Sequence, residues 1–172
     1  MSNVPNGRPR AFDQIQFEAT LDDVIAQPSC MIHPEISITV TSAPDIPTEF
    51  AQEAFPILAL AFNDRQWNAA IAREAVLTSS SCQLLIAART TEKLTGFVTV
   101  HSTIRPNRGK LHWLTVTPQW RRKRVGTVLT LAACSIASTE LKYETITLKT
   151  EKYRSAAISL YRKLGFREIP TP

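Results

Sequence analysis

The apolar positions along the chain change period several times, and each change marks an element. Ile36, Ile38 and Val40 alternate with Ser37, Thr39 and Thr41, the two-residue period of a half-buried strand. Asp45 ahead of Pro47 reads as a helix start, and Phe50, Ala54, Ile57, Leu58 and Ala61 then recur at helical spacing. Pro56 is expected to kink that helix, because it has no N–H to donate and its ring crowds the preceding turn. A second helix is predicted over 66–77. Three strands follow: an apolar run at 82–88, then 94–102 and 110–117, the last two joined by the turn Pro106-Asn107-Arg108-Gly109. Val125, Val128, Leu129, Ala132, Ala133 and Ile136 make one stripe at offsets of three and four, a long helix. The segment 143–150 alternates again as a strand. Ser155 reads as the cap of a last helix with Ala157, Leu160, Tyr161 and Leu164 on one face. Arg162 and Lys163 lie in its final turn, where the dipole favours cations, and Gly165 follows as a left-handed stop.

The order is β-α-α-β-β-β-α-β-α. The central three strands suit an antiparallel meander, and the closing β-α-β unit requires a parallel pair. The predicted fold class is therefore α/β (α+β): a mixed, mostly antiparallel central sheet with helices on both faces. Residues 1–34, punctuated by Pro5, Gly7, Pro9, Pro28 and Pro34, read as an N-terminal extension, and 35–172 as the folded domain. Within the extension, Phe12, Ile15, Phe17, Leu21, Val24 and Ile25 form an amphipathic stretch able to dock on something.

Length and composition narrow the class. A chain of 172 residues with 44% hydrophobic and 20% charged residues matches one soluble globular domain. No apolar run approaches a membrane span, and Met1 to Thr20 lack the apolar core of a secretory signal. Cys30, Cys82 and Cys134 are odd in number and far apart, which argues against a disulfide scaffold or a metal cluster and fits a reducing cytoplasm. The net charge of +5 is unevenly spread. Residues 93–139 hold eight basic residues and no acidic one, while the remaining 12 basic and 15 acidic residues leave the rest at −3. One region is built to meet negative charge, whether of a solvated face, a nucleic acid, an anionic membrane or a phosphorylated small molecule.

Within that region the stretch from Val116 to Leu129 carries the chemistry: a strand ends, a basic loop follows, and a helix opens near Val125. Unpaired N–H groups at a helix start, backed by the dipole, form an anion site. Gly126 leaves the backbone open to a close phosphate, Thr127 adds a hydroxyl, and Arg121, Arg122, Lys123 and Arg124 add charge. The glycine spacing is neither that of a Walker loop nor that of a dinucleotide fingerprint, so the fitting task is to cradle a pyrophosphate.

Here the sequence resembles the GNAT superfamily of N-acetyltransferases. Their acetyl-CoA loop reads Arg/Gln-x-x-Gly-x-Gly/Ala after a strand ending in Val-x-Pro. Val116-Thr-Pro118 matches the strand end, Arg121 the first loop position and Gly126 the last, while Arg124 stands in place of the middle glycine. A side chain at that position must point away from the pyrophosphate or reach over and clamp it. The family's second signature, Asn-x-x-Ala-x-x-Leu-Tyr-x-x-x-Gly-Phe, is matched from Arg154 through Ala157, Leu160, Tyr161, Gly165 and Phe166, with Arg154 in place of Asn. The resemblance runs from about Glu35 to the C-terminus and implies a GNAT-like acyl-CoA N-acyltransferase fold.

What the resemblance implies is transfer of an acetyl group from acetyl-CoA, as co-substrate, to a primary amine by direct attack with both substrates bound, and no metal. Pantetheine would lie where the strand ending at Val116 splays from the strand after Tyr143, paired with the backbone of Leu114, Thr115 and Val116. The loop Arg121, Arg122, Lys123, Arg124, Val125, Gly126 and Thr127 would hold the pyrophosphate. Arg154 would either touch the cofactor arm or reach a phosphate. Tyr161 corresponds to the tyrosine that assists the departing thiolate; its place on an apolar stripe would by itself read as a core residue, and the family position reverses that reading. The base has three candidates: His112, beside Trp113 and slightly favoured; Glu144 on the next strand; and water acting on an amine that arrives partly neutral. Asp64 and Trp67, in the loop between the first two helices, are candidates for holding the amine substrate, against a polar turn with a buried Trp67.

Two other readings belong to different classes: a non-catalytic acyl-CoA sensing module of the same fold, and a basic domain that binds nucleic acid, which the absence of a stacking cluster of aromatics disfavours. The acceptor is open among a small molecule, a peptide N-terminus and a protein lysine. In the family a hairpin follows the Gly-Phe of the last helix, whereas here only Arg167-Glu-Ile-Pro-Thr-Pro172 remains, so the sheet is expected to be short at its C-terminal end. The edge beside the strand at 143–150 is then expected to be covered either by the extension around Phe12 to Ile25 or by a second copy of the chain, as a homodimer.

Overall fold

The segment read as an appendage contains an interior strand of the sheet. In the computed structural model, which describes residues 14–26, 31–62 and 66–170 (the side chain of Leu77 excepted), β1 (Gln14–Thr20) pairs antiparallel with β6 (Thr145–Glu151) from Gln14↔Glu151 to Thr20↔Thr145. Its other edge takes β7 (Arg167–Ile169). Ile15, Phe17 and Ala19 alternate with polar Gln14, Gln16 and Glu18, so the amphipathic pattern here has period two. The short helix α1 (Leu21–Ile25) then buries Leu21 and Val24. The edge expected to be open beside β6 is thus filled from within the same chain. Phe12 of that stretch, Cys30 and the predicted substrate residue Asp64 lie outside the described residues.

The remaining strands are β2 (Ser37–Ser42), β3 (Cys82–Arg89), β4 (Leu94–Ser102) and β5 (Arg108–Val116), and the seven run in the order β2-β3-β4-β5-β6-β1-β7. Every pairing is antiparallel except β5 with β6. The mixed, mostly antiparallel sheet with helices on both faces is as expected. β5 begins inside the predicted turn, at Arg108, and β7 is one short strand ending before Pro170, which has no N–H to donate.

Two apolar layers cover the faces. On one side α1, α4 (Val125–Thr139) and α5 (Ser155–Lys163) pack Leu21, Val24, Leu129, Ala133, Ile158 and Tyr161 on Phe17, Val98, Ile146 and Leu148. On the other, α2 (Phe50–Ala61) and α3 (Ala69–Ala72, continued as a π-helical turn to Leu77) pack Phe50, Ala54, Leu58, Ala72 and Val76 on Leu85, Ala87 and Phe97. Three local readings need correction. Asp45 closes a short 3-10 turn, and α2 starts only at Phe50, running on through Pro56. α3 starts later than residue 66 because Asn68 caps it, its Oδ1 accepting from the Ile71 N–H at 2.9 Å. Ser155 is the first helical residue of α5, not its cap; Arg154 holds that position and makes no side-chain cap bond. Gly165 ends the helix at φ 88, as read.

Candidate functional site

The parallel pair that builds the site is very short. β5 and β6 are bonded only over Arg108↔Thr145, Gly109↔Ile146 and Lys110↔Thr147. Beyond Lys110, β5 stays with β4 and β6 stays with β1, so a V opens between 111–116 and 148–151. A bulge drives the divergence. Trp113 and Leu114 stand opposite Val98 alone, between the pairs Thr99↔His112 and Phe97↔Thr115, and Trp113 takes the left-handed φ of 55. The bulge also presses β4 onto β5: a Cβ on Gly96 would sit 2.5 Å from the Thr115 carbonyl oxygen, which only glycine avoids. Leu114, Thr115 and Val116 therefore lie along the wall of the V, Thr115 and Val116 paired with β4 on one side and all three without a β6 partner on the other.

At the end of that wall the chain turns through Pro118–Trp120 into α4. Arg121, Arg122, Lys123 and Arg124 are all exposed. Arg122 and Arg124 adopt φ of 62 and 63, so the position where the family pattern has glycine carries an arginine in the backbone conformation that favours glycine. Arg121 is tied down by its Nε–H to the Val116 carbonyl at 3.2 Å, and the Lys123 ammonium lies 4.3 Å from the Trp120 ring centroid. The first helical bond from the loop runs from Val128 N–H to Arg124 O, so the N–H groups of Val125, Gly126 and Thr127 precede the intrahelical ladder. A Cβ on Gly126 would meet Leu160 at 3.5 Å and Val116 at 3.7 Å, ordinary contacts, so this glycine lets α5 and β5 approach but would admit alanine. The charge, the free N–H groups and the open strand edge all fit the pyrophosphate and arm of a coenzyme A.

Tyr161 is buried, with its ring centroid 5.9 Å from that of Phe17 and 5.7 Å from that of Phe166. Burial pushes its phenol up to about 12; the Arg154 guanidinium opposes the shift and the Glu151 carboxylate adds to it. Arg154 pairs with Glu151 at the end of β6 and lies over the Phe62 ring, 4.5 Å from its centroid. Because Phe62 caps α2, Arg154 links the two sides of the sheet at the open end of the V. Sequence reasoning passed over Glu151 and Phe62. The i, i+3 spacing of Glu151 and Arg154 was a legible signal for the first, and nothing local signalled the second.

His112 stacks on Trp113, centroids 4.4 Å apart, and meets His101 edge-on at 5.4 Å. Burial, with Lys110 and His101 beside it, lowers its pKa to about 3, so it is neutral near pH 7. Trp113, Trp67 and Phe62 form an aromatic wall: Trp67 lies 5.5 Å from Trp113 and donates its indole N–H to the Phe62 carbonyl at 2.8 Å. The alternative candidate Glu144 is exposed, accepts from Asn107 Nδ2 at 2.8 Å, and sits at the closed end of the β5–β6 pair. Among the described residues no cluster of His, Cys, Asp and Glu is arranged to hold a metal, and no helix is long and apolar enough to cross a membrane.

Solved structures share this architecture. A tandem GNAT protein from the clavulanic acid biosynthesis pathway superposes with a TM-score of 0.72 at 18% identity, over 90% of this chain and 50% of that one. The chain thus spans about half the length of that protein. A ribosomal-protein-alanine N-acetyltransferase from Brucella melitensis biovar Abortus 2308 gives 0.59 at 20% identity, over 75% of this chain and 90% of that one. An aminoglycoside acetyltransferase from an uncultured soil metagenomic sample, in complex with trehalose, gives 0.64 at 16% identity, over 83% and 96%. At these identities the likeness is one of fold. No curated protein matches the sequence. The model of the acetyltransferase (GNAT) family matches residues 45–166, from the turn before α2 through the whole V, the basic loop and α5, and the chain belongs to that family of acyl-transferring proteins.

Proposed function

We propose that the chain is an N-acetyltransferase that moves an acetyl group from acetyl-CoA to a primary amine with both substrates bound together. The observation that carries this is the V itself: an unpaired strand edge, Leu114 to Val116, that runs directly into a cationic loop and a helix start. The backbone of Leu114, Thr115 and Val116 would take the cofactor arm. The N–H groups of Val125, Gly126 and Thr127, with Arg121, Arg122, Lys123 and Arg124 around them, would take its phosphates. Acetyl-CoA supplies a thioester whose acyl group is open to attack by an amine. Arg154, held by Glu151 over Phe62, closes the mouth of the V and adds a cation there.

Tyr161 is the proposed partner of the leaving sulfur. With a pKa of about 12, its phenol keeps its proton at neutral pH. Full transfer to a thiolate of ordinary pKa (~8.5) would be uphill by ~3.5 pH units, or ~5 kcal/mol. Its role is therefore to donate a hydrogen bond as charge develops on sulfur. His112 keeps a lone pair at neutral pH and would accept a hydrogen bond from the amine. Its depressed pKa makes it a weak final acceptor, so the proton passes on to water. Trp67, with Trp113 and Phe62, would flank the acceptor.

The test is acetyl-CoA offered with a panel of amines, reading free thiol and acetylated product by mass. Thiol release in step with product supports the reading. Coenzyme A binding by calorimetry without turnover would favour the sensing module, and no binding at all would refute both.

A further inference from the structure

A second concavity lies beside the bulge, on the α2–α3 face. It measures about 410 Å³ and is lined by Ala75, Ser79, Ser81, His101, Ser102, Thr103, Lys110 and His112, the size of a small-molecule subsite. No carboxylate is among these lining residues. Lys110 is half-buried and forms no ion pair among the described residues. Lys149 is close enough to act on it electrostatically. Glu18 lies across from Lys110 on the sheet, since Thr147 pairs with both, but its carboxylate is taken by Arg108. The field in the pocket is therefore positive.

The hydroxyls around the pocket are already committed. Thr99 Oγ1 donates to the His112 carbonyl at 3.1 Å, which uses its only hydrogen, so His101 must donate to Thr99 from Nε2, at 2.9 Å. His101 Nδ1 is then bare and accepts from Ser81 Oγ at 3.0 Å, and Ser81 in turn accepts from Ser79 at 2.9 Å. Ser102 and Thr103 donate to backbone carbonyls. Two donors remain for a ligand, the Lys110 ammonium and one ring N–H of His112. A neutral His112 has one ring N–H, so its other nitrogen remains an acceptor. From Lys110 to the bulge at Trp113 is three residues of strand, roughly 10 Å. With the reach of the side chains this leaves a spacer of a few bonds between an anionic group and an amine.

We propose that this pocket holds a carboxylate or phosphate of the acceptor, so that the amine substrate is a small molecule carrying its own negative charge rather than a polycation. The inference rests on the transferase reading for its use but not for its existence. An anion there would offset the burial and the Lys149 charge that hold the Lys110 pKa below its usual value.

Two measurements on the full chain test it. The first compares kcat/KM for four amines with one spacer: β-alanine, 2-aminoethyl phosphate, ethanolamine and 1,2-diaminoethane. A charge-assisted contact predicts that one of the two acids exceeds ethanolamine by roughly 10- to 150-fold, with the diamine last. Which acid leads identifies the anionic group. Lys110→Met should collapse that ratio while leaving coenzyme A affinity intact. The second follows the histidine ring resonances as propanoate or inorganic phosphate is added. Saturable shifts of His101 and His112 in the wild type, lost in Lys110→Met, support the pocket even if no amine is turned over, in which case the transferase reading alone fails. No shift at tens of millimolar of either anion, or a preference for the diamine or for ethanolamine, would overturn the proposal.

Discussion

Arg124→Gly separates a backbone argument from a binding argument within one substitution. Arg124 sits at φ 63, ψ 5 as the residue before α4, its side chain exposed and making no capping bond. A non-glycine residue in the left-handed region costs ~1–2 kcal/mol, and glycine's extra freedom in the unfolded chain gives back ~0.5–1 kcal/mol. Since no packing is lost with an exposed side chain, the net expectation is a gain on the order of 0.5–1 kcal/mol, or ~1–4 °C in Tm for a chain of this length. Arg121→Gly is the control. Arg121 has an ordinary extended backbone at φ −64, ψ 154, and its Nε–H bonds Val116 O, so glycine there should destabilise. Urea unfolding of the two variants without ligand reads this part. Binding reads the other: if Arg124 bends over a phosphate, coenzyme A affinity should fall by ~1.5–3 kcal/mol in calorimetry while stability rises. Equal destabilisation by both glycines would refute the backbone argument, and unchanged affinity in the stabilised variant would refute the clamp.

Tyr161→Phe keeps the contacts to Phe17 and Phe166 and removes only the hydroxyl, so kcat should fall ~10²-fold with little change in acetyl-CoA affinity; an unchanged kcat would return Tyr161 to the core. Gly96→Ala drives a methyl to 2.5 Å from a backbone oxygen and should cost ~1–3 kcal/mol in denaturant unfolding; a neutral result would mean β4 and β5 can part freely at the bulge. Phe17→Ala empties a fully buried site under α5 and should cost ~3–5 kcal/mol, as only a strand integral to the fold would. His101 and His112 have folded pKa values of about 4 and about 3, below the ordinary 6.5, so the unfolded chain binds protons first. Unfolding free energy should therefore decline as pH falls from 6.5 towards 3, and His101→Gln should flatten that decline; an identical slope in the variant would contradict the burial of His101.

Much of this architecture is written locally. The stripe from Val125 to Ile136 and the apolar strands β3 and β4 follow from periodicity, and the stop at Gly165 from one glycine. The loop is legible because four cations before a helix start need no tertiary information. Three things are not local. Ile15, Phe17 and Ala19 alternate over too few residues to outweigh the surrounding prolines, so a strand looked like an amphipathic appendage. The length of the β5–β6 pairing, which decides whether a cleft exists, is set by a bulge at Trp113, a residue with no propensity for a left-handed φ. The pocket beside it depends on register: Thr99 and His101 on β4, and Lys110 and His112 on β5, share one face, and only their alignment turns scattered polar residues into a site. Arg154 shows a substitution that the sequence registers without its reason, because its partner Phe62 comes from the other end of the domain.

The place of β1 in the sheet has a consequence for the order in which the protein can be made. Its partners β6 and β7 are synthesised after the other strands of the sheet, so Phe17, Ala19 and the ladder groups of Gln14–Thr20 have nothing to join while the meander β3–β5 and α4 are already complete. On the ribosome the nascent chain therefore carries a half-apolar strand without a place until the segment beyond Thr145 has emerged. Non-local pairing of this kind is slow, and during the wait the strand is available to another nascent chain with the same vacancy. Crowded polysomes translating this message are where intermolecular exchange of β1 would arise, and slowing translation after Glu151 would lengthen the interval in which it can happen.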